Sequence, residues 1–249
     1  MLDKIQIVLV GVSHPGNIGA AARAMKTMGL SHLRLVQPKS FPCVEATARA
    51  SGADDLLVNA QVFDTFEESV QDCHLIIGTS ARQRMIAWPV LTPKACAEKA
   101  RTSQGKVAYV FGREQSGLTN KELDICHFVV QIPTNPTFTS LNVAAAVQIL
   151  AYELRCAFDK PLNSFELSSP LDEDEIDGNF VRDPPASNEA MARFYQHLEQ
   201  TLIDIDFLDP QKPKLLMRRL HRLFNRMQLL NSEVQILRGI LTAASRKKN

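Results

Sequence analysis

The order of the apolar runs constrains the fold of this chain more than any other feature. Strand-sized apolar runs alternate with helical patterns, and three of the runs lead into polar turns marked by glycine or proline. These turns contain the segments NIGAAAR (17–23), FGREQSGL (111–118) and IPTNPTFTSLNVAAA (132–146). Such alternation is typical of a mostly parallel sheet flanked by helices. Loops at the carboxyl ends of parallel strands gather along one edge, where ligands bind. We therefore expect the three segments to meet in one cleft, which favours an enzyme.

Local patterns predict the individual elements of residues 1–158. The predicted strands are 5–10, 32–36, 74–78, 106–111 and 128–132, with short extended pieces at 56–59 and 62–63. The first helix ends at Gly29, since glycine readily adopts the left-handed conformation of a helix stop. Further helices are expected at 43–50, at 66–72 and from Thr119, which forms a capping-box pattern with Glu122. A long helix is expected from Ser140, a good N-cap residue, to about Phe158.

Charge divides the chain into three pieces. Residues 1–158 hold 15 Lys and Arg against 13 Asp and Glu, a net charge of +2. Residues 159–186 hold 2 against 8, a net charge of −6, and lack apolar periodicity, so we expect an acidic linker. Residues 187–249 hold 11 against 6, a net charge of +5, with helical patterns at 187–203, at 211–227 and from a capping box at Ser232 to about Ser245. We therefore predict one large domain, a linker and a small all-helical domain.

Composition and motifs argue against several classes of protein. The apolar runs are far shorter than the ~20 residues that a membrane span needs. The chain starts with Asp3 and Lys4 just before the first strand, so no signal peptide is expected. Five cysteines without a CxxC pair indicate free thiols in a reducing cytoplasm, and no metal site is expected. The spacing of the glycines at 11–19 does not fit the dinucleotide fingerprint, and no P-loop motif occurs.

The three segments, in this order and spacing, resemble the knotted SPOUT methyltransferases of the SpoU branch, which methylate the 2′-hydroxyl of RNA. The resemblance covers roughly residues 1–158. It implies an α/β fold with a mostly parallel sheet and a deep trefoil knot at the C-terminal end of that domain, followed here by the helical domain. It also implies the cofactor S-adenosyl-L-methionine and a homodimer. The stretch TSARQR (79–84) and the helical tail are similar to the members that act on tRNA, at the ribose of cytidine or uridine 32 in the anticodon loop.

The resemblance assigns cofactor contacts to the loops after the later strands. A glycine directly after a strand allows close approach of a ligand, and small polar residues suit the ribose of a nucleoside. The residues expected to contact the cofactor are Thr79, Ser80, Ala81, Gly112, Ile132, Thr139, Ser140 and Leu141.

The candidate catalytic set consists of Arg23, Asn17, Glu114, Ser140 and Asn142. The family places its first-motif arginine at the target hydroxyl, which corresponds to Arg23. A guanidinium stays protonated in proteins, so we expect Arg23 to clamp the neighbouring phosphate and align the hydroxyl rather than act as a base. Ser140 and Asn142 are candidates to accept or orient the hydroxyl proton. Glu114 is expected to organise Asn17 and the 111–118 turn.

Two groups of arginines are candidates for RNA binding. Arg82 and Arg84 follow the first cofactor loop, and Arg218, Arg222 and Arg226 stand one turn apart on a tail helix without nearby acids in that segment. Phosphate contacts are the favoured interpretation, and solvated surface charge is the alternative for each group. The competing functions are methylation of another tRNA position or of ribosomal RNA, and a catalytically silent RNA-binding protein. The intact candidate catalytic set argues against silence.

Overall fold

Seven parallel strands form one sheet in the computed structural model, which describes residues 2–80, 89–159 and 183–246. The strands are β1 (Ile5–Val10), β2 (His32–Val36), β3 (Gln61–Phe63), β4 (Cys73–Thr79), β5 (Val90–Leu91), β6 (Lys106–Phe111) and β7 (Phe128–Val130). Their spatial order is β3-β2-β1-β6-β4-β7-β5, and every pair is parallel. The mostly parallel α/β sheet predicted from the sequence is confirmed.

Helices cover both faces of this sheet, with the larger core on one side. They are α1 (Pro15–Thr27), α2 (Val44–Ala50), α3 (Asp54–Val58), α4 (Phe66–Val70), α5 (Pro93–Thr102), α6 (Asn120–Ile125) and α7 (Val143–Phe158). Ile5, Ile7 and Leu9 of β1 face the core that α1, α2, α5 and α7 complete. Val8 and Val10 face the opposite way, toward α4 and α6. This mostly apolar strand is thus buried on both faces, as expected of a parallel sheet.

Three elements differ between the sequence-based prediction and the structure. Residues 56–58 are helical rather than extended, because the acids Asp54 and Asp55 occupy the favourable first turn of α3. The prediction lacked α5, although its Thr92 N-cap and Pro93 at the first position are ordinary helix-start signals. It also lacked the two-residue strand β5, which only its pairing with β7 defines.

The tail forms three helices with a core of their own. These are α8 (Asn188–Asp204), α9 (Leu216–Met227) and α10 (Asn231–Arg246), and Phe194 lies at the centre of their shared core. Residues 183–186 belong to this unit, because Ala186 is buried and its N–H donates to the Leu229 carbonyl. The predicted linker therefore ends earlier than expected, and its residues 160–182 lie outside the described part of the chain.

Two helix starts in the tail also differ from the prediction. Lys214 adopts a left-handed backbone with φ of 49°, so α9 begins at Leu216 and not at residue 211. Ser232 lies inside the first turn of α10 and does not cap it; the Glu233 carboxylate accepts from the Leu230 N–H instead. Within residues 2–80, 89–159 and 183–246, no helix is both long and apolar enough to cross a membrane.

Candidate active site

The three motif segments meet at the carboxyl edge of the sheet, where the second and third line a cavity of about 240 Å³ and the first contacts both of them through Asn17. Loops after β4, β6 and β7 and the start of α7 form its walls. Seven of the eight residues expected to contact the cofactor line it: Thr79, Ser80, Gly112, Ile132, Thr139, Ser140 and Leu141. The eighth, Ala81, lies outside the described residues. The residues that the family resemblance assigned to the cofactor thus line one cavity.

A chain of hydrogen bonds ties the three segments together beside this cavity. The Asn142 Nδ2 donates to Asn17 Oδ1 at 2.9 Å, and the Asn17 Nδ2 donates to Glu114 Oε1 at 3.0 Å. Asn17 comes from the first turn of α1, Glu114 from the loop after β6 and Asn142 from the start of α7. Since Asn17 is both donor and acceptor, its amide can serve this chain in one orientation only. The contact expected between Glu114 and Asn17 is present.

Glu114 also anchors the loop after β1. Its carboxylate accepts from the backbone N–H of Ser13 at 3.1 Å and of His14 at 3.2 Å, and from the Ser13 hydroxyl at 3.0 Å. Partial burial tends to raise the pKa of the Glu114 carboxyl, but the hydrogen bonds from Asn17, Ser13 and His14 outweigh burial and lower the pKa to about 2. At neutral pH the group is an anion that only accepts hydrogen bonds, far from the pKa of an efficient general base.

Asn142, and not Ser140, is the N-cap of α7. The Asn142 Oδ1 accepts from the Ala144 N–H at 2.9 Å, so the helix begins at Val143 rather than at the predicted Ser140. The amide oxygen of Asn142 is therefore committed to the helix start, and its nitrogen to Asn17. Ser140 is exposed at the cavity, and within the described residues its hydroxyl has no hydrogen-bond partner.

The protein backbone itself requires glycine at position 112. A Cβ at this position would lie 2.2 Å from the Gly117 carbonyl carbon and 2.3 Å from the Leu118 nitrogen. The 111–118 loop folds back on itself so closely that only glycine fits. This close turn is a reason for Gly112 that the sequence analysis did not give, and the expected close approach of a ligand stays a prediction, since Gly112 also lines the cavity.

Arg113 is a site residue that the sequence analysis did not single out. Its guanidinium pairs with the carboxylate of Glu122, with nitrogen–oxygen distances of 3.0 and 3.1 Å. Glu122 also completes the capping box of α6 with Thr119, as predicted. The ion pair holds the cavity loop against the helix that follows it. The sequence offered two signals for this ion pair: an arginine two residues into the 111–118 segment, and an acid at the third position of α6.

Arg23 lies on α1, exposed to solvent. No hydrogen bond or ion pair to another described residue engages its guanidinium. Small residues surround it on the helix, with Ala21, Ala22 and Ala24 buried beneath. Its charge is therefore available to a bound anion.

The arginine stripe of the tail divides into two kinds of residue. The Arg218 Nε donates to Asp124 Oδ2 of α6 at 2.7 Å, and the pair is largely shielded from solvent. The expectation that the stripe has no acid partner is wrong for Arg218, because the acid comes from the other domain. Arg222 and Arg226 make no ion pair within the described residues. Arg82 and Arg84 lie outside the described part of the chain.

The tail docks on the sheet domain more firmly than the sequence indicates. Asn225 of α9 donates to the Asp124 carbonyl at 3.2 Å and accepts from the Tyr195 hydroxyl at 2.6 Å. The Glu189 N–H donates to the Gln71 carbonyl at 3.2 Å. The first of these contacts links α9 to α6, the helix that directly follows the cavity loop, and the last links the start of α8 to the end of α4. The composition of the linker gave no indication of these contacts.

Comparison with known proteins agrees with this arrangement. Residues 4–152 match the SpoU rRNA Methylase family, and residues 189–249 match the family described as tRNA methyltransferase TrmJ, C-terminal domain. The chain is 52% identical to the tRNA (cytidine/uridine/adenosine-2′-O-)-methyltransferase TrmJ of Pseudomonas aeruginosa, over 97% of this chain and 94% of that one.

Solved structures give the same result. The crystal structure of TrmJ from Z. mobilis superposes with a TM-score of 0.80 at 33% identity, over 96% of this chain and 97% of that one. A probable methyltransferase from Bordetella pertussis is 42% identical with a TM-score of 0.60, covering 63% of this chain and 97% of that one. The chain therefore belongs to the SpoU methyltransferase family and, within it, to the TrmJ methyltransferases.

Proposed function

We propose that this protein transfers a methyl group from S-adenosyl-L-methionine to the ribose 2′-hydroxyl of nucleotide 32 in the anticodon loop of tRNA. The observation that carries the proposal is the hydrogen-bond chain from Asn142 through Asn17 to Glu114. It joins the three family motifs beside the cavity that the expected cofactor residues line. A nucleoside cofactor in the cavity would then lie close to Asn17 of α1, the helix that also carries Arg23.

The lining of the cavity fits an adenosyl group joined to an amino acid. Ile132 and Leu141 offer apolar surface for a base, while Thr79, Ser80 and Ser140 offer hydroxyls to its sugar. When bound, S-adenosylmethionine supplies an electrophilic methyl group on its sulfonium sulfur. The ion pair of Arg113 with Glu122 keeps the 111–118 wall in shape for such a ligand.

Arg23 has the properties of a substrate-positioning group. A free guanidinium can hold the phosphate beside the target ribose in a bidentate manner, and so align the hydroxyl with the methyl group. Alignment of this kind makes a large contribution to a displacement reaction, and a misplacement of about 1 Å can cost about 100-fold in rate. The Ser140 hydroxyl, which has no hydrogen-bond partner within the described residues, is proposed to orient the proton of the target hydroxyl. The Glu114 carboxylate already accepts hydrogen bonds from Asn17 and from the loop after β1, so its proposed role is to hold these segments in place.

The tail is proposed to bind the rest of the tRNA. Arg222 and Arg226 keep their charges unpaired within the described residues and stand on the helix that docks against α6. Together with Arg82 and Arg84 they are proposed phosphate contacts, while Arg218 holds the tail in place. The proposal also includes a cytoplasmic homodimer and the trefoil knot of the family. The central placement of β4 and β6 between β1 and β7 is compatible with such threading.

The test is a methyl-transfer assay with labelled S-adenosylmethionine and unmodified tRNA, followed by nuclease mapping of the methylated nucleotide. We expect a single 2′-O-methyl group at position 32. Arg23→Ala should lower the rate about 100-fold with nearly unchanged cofactor affinity in calorimetry. Lys26→Ala is the matched control on the same helix, because the Lys26 ammonium is already paired with Asp55. Equal activity in the two variants would remove Arg23 from the reaction.

Ribosomal RNA is the second candidate substrate, because the family that residues 4–152 match is described as an rRNA methylase family. The same assay with rRNA transcripts decides between them. Methylation of rRNA in preference to tRNA would overturn the proposed substrate but leave the proposed chemistry. Absence of transfer to either RNA, with normal cofactor binding, would indicate a silent RNA-binding protein.

A further inference from the structure

The loop between α8 and α9 forms a groove that the proposed chemistry does not use. Its volume is about 570 Å³, and apolar side chains make up most of its lining: Phe207, Leu208, Pro213, Leu215 and Leu216. Lys212, Lys214 and Arg219 line the same groove, against one acid, Asp209. An apolar groove with several cations is unlike an ordinary solvated surface.

The loop presents Phe207 to solvent on a well-anchored backbone. The Phe207 ring is 66% exposed, whereas the next residue, Leu208, is buried. The N–H groups of both residues donate to the Leu202 carbonyl at 2.9 Å, which holds the loop against the end of α8. Asp206 before them has a left-handed backbone, with φ of 58°. The ring is thus held outward by a tight turn, and its exposure is not the result of a loose chain end.

The charges of the groove are free to meet an anion. Within the described residues, Lys212, Lys214 and Arg219 make no side-chain hydrogen bond or ion pair. The Asp209 Oδ1 already accepts from the Gln211 N–H at 2.8 Å, a local turn contact. The lining therefore carries an excess of positive charge around an exposed aromatic ring.

We propose that this groove binds one unpaired nucleotide of the tRNA, its base stacked on Phe207 and its phosphates held by Lys212, Lys214 and Arg219. The inference rests on the proposed tRNA substrate. Aromatic rings combined with nearby cations are the usual recognition surface for unpaired nucleotides, because every base has a face that can stack. A base within a duplex cannot stack on a side chain in this way.

The groove is held at a fixed place relative to the methyl-transfer cavity. Arg219, at its edge, follows Arg218, whose ion pair with Asp124 joins α9 to α6. The helix α6 begins directly after the loop that lines the cavity. A nucleotide in the groove would therefore anchor the RNA at a set distance from the reacting ribose and contribute to the choice of substrate.

Binding of tRNA and of a short unpaired RNA tests the proposal on the full-length protein. Phe207→Ala should weaken binding of both RNAs by about 5- to 150-fold, the usual effect of losing one stacked base. Phe207→Tyr keeps an aromatic ring and should restore binding. Ile240→Ala, which truncates a similarly exposed apolar side chain on α10, is the matched control and should bind normally. Binding of a duplex RNA should be the same in all four proteins.

The salt dependence of RNA binding distinguishes stacking on Phe207 from phosphate contacts with Lys212 and Lys214. Phe207→Ala should leave the log–log salt slope of RNA binding unchanged, because stacking releases no counterions. The double substitution Lys212→Ala, Lys214→Ala should make the slope shallower by about 1.4, or about 0.7 for each phosphate contact on unpaired RNA.

Several outcomes would overturn the inference. If the wild-type protein methylates tRNA and Phe207→Ala binds and methylates it equally well, the groove has no role and the proposed function stands. If Phe207→Ala changes the molecular mass in light scattering, the groove contacts a second copy of the chain instead. If the wild-type protein neither binds nor methylates tRNA, the proposed function itself fails.

Discussion

The substitution Gly19→Ala tests how closely the first motif helix is packed. Gly19 is buried in α1, and a Cβ at this position would lie 2.0 Å from the Ala46 carbonyl oxygen of α2. It would also lie 2.9 Å from the Ala50 nitrogen. All of these neighbours are backbone atoms, which cannot rotate away as a side chain would. The two helices must separate for the methyl group to enter.

The size of the effect follows from these distances. Ordinary non-bonded atoms lie about 3.5 Å apart, so α1 and α2 must move by roughly 1.5 Å. Overpacking a tight contact costs about 1–3 kcal/mol, and the rigid backbone puts this case near the upper value. The higher helix propensity of alanine offsets about 1 kcal/mol of this cost. The net loss of about 2 kcal/mol corresponds to a fall in Tm of about 4–8 °C for a chain of this size.

The same substitution on another helix provides the control. Gly239 lies within α10, where a Cβ would meet no atom within 4 Å. Gly239→Ala should therefore raise the stability by about 0.4–1 kcal/mol. Thermal and urea unfolding of the two variants, measured side by side, should move in opposite directions.

Activity gives a second measurement of the same displacement. Asn17 lies on α1 and contacts both Glu114 and Asn142, so a shift of this helix disturbs the chain that joins the three motifs. Gly19→Ala should lose about 100-fold in methyl transfer, whereas Gly239→Ala should stay at the wild-type rate. Equal stability and equal activity of the two variants would refute the reasoning.

Three further predictions follow from other contacts. Gly112→Ala should abolish cofactor binding in calorimetry, because its Cβ would lie 2.2 Å from the turn backbone; binding within twofold of wild type would contradict this explanation. Arg218→Ala and Asp124→Asn break the ion pair that holds the tail, so both should increase hydrogen exchange in the tail but leave the salt slope of tRNA binding unchanged. Arg226→Ala should instead make that slope shallower by about 0.9 on duplex RNA. Burial lowers the pKa of the His127 imidazole to about 4. The unfolded chain therefore protonates this imidazole at a higher pH than the folded protein does. The free energy of unfolding should fall by up to about 1.4 kcal/mol per pH unit as the pH drops from 6.5 to 4. His127→Gln should flatten that pH dependence in urea titrations.

Much of the sheet and of the site could be predicted because the necessary information is local. The strand 5–10 can be recognised from its five apolar residues around Gln6, and the capping box of Thr119 and Glu122 lies within four residues. The motif loops fall after strands, and parallel strands bring their carboxyl ends to one edge. The cavity residues therefore followed from pattern and resemblance without any knowledge of distances.

Errors arose where two local signals competed. Ser140 and Asn142 are both good caps, and only the contact of Asn142 with Asn17, 125 residues away, favours the second. The residues at 56–58 have an apolar content that suits a strand, yet Leu56 and Leu57 are buried from a helix. The α5 helix has ordinary start signals in Thr92 and Pro93, but the sequence analysis followed the strand pattern and did not assign a helix there.

The sequence by itself determined the parallel α/β architecture, since strand, turn and helix preferences act over a few residues. It also indicated the family and the residues around the cavity, through the resemblance of its three motif segments. The tertiary structure decided which of these residues touch. Gly112 is held by its own turn, Glu114 accepts from Asn17 of the first motif segment and from Ser13 before it, and Arg218 contacts Asp124, 94 positions earlier in the chain. Contacts of this kind depend on the relative placement of whole elements, and packing sets that placement only once the chain has folded.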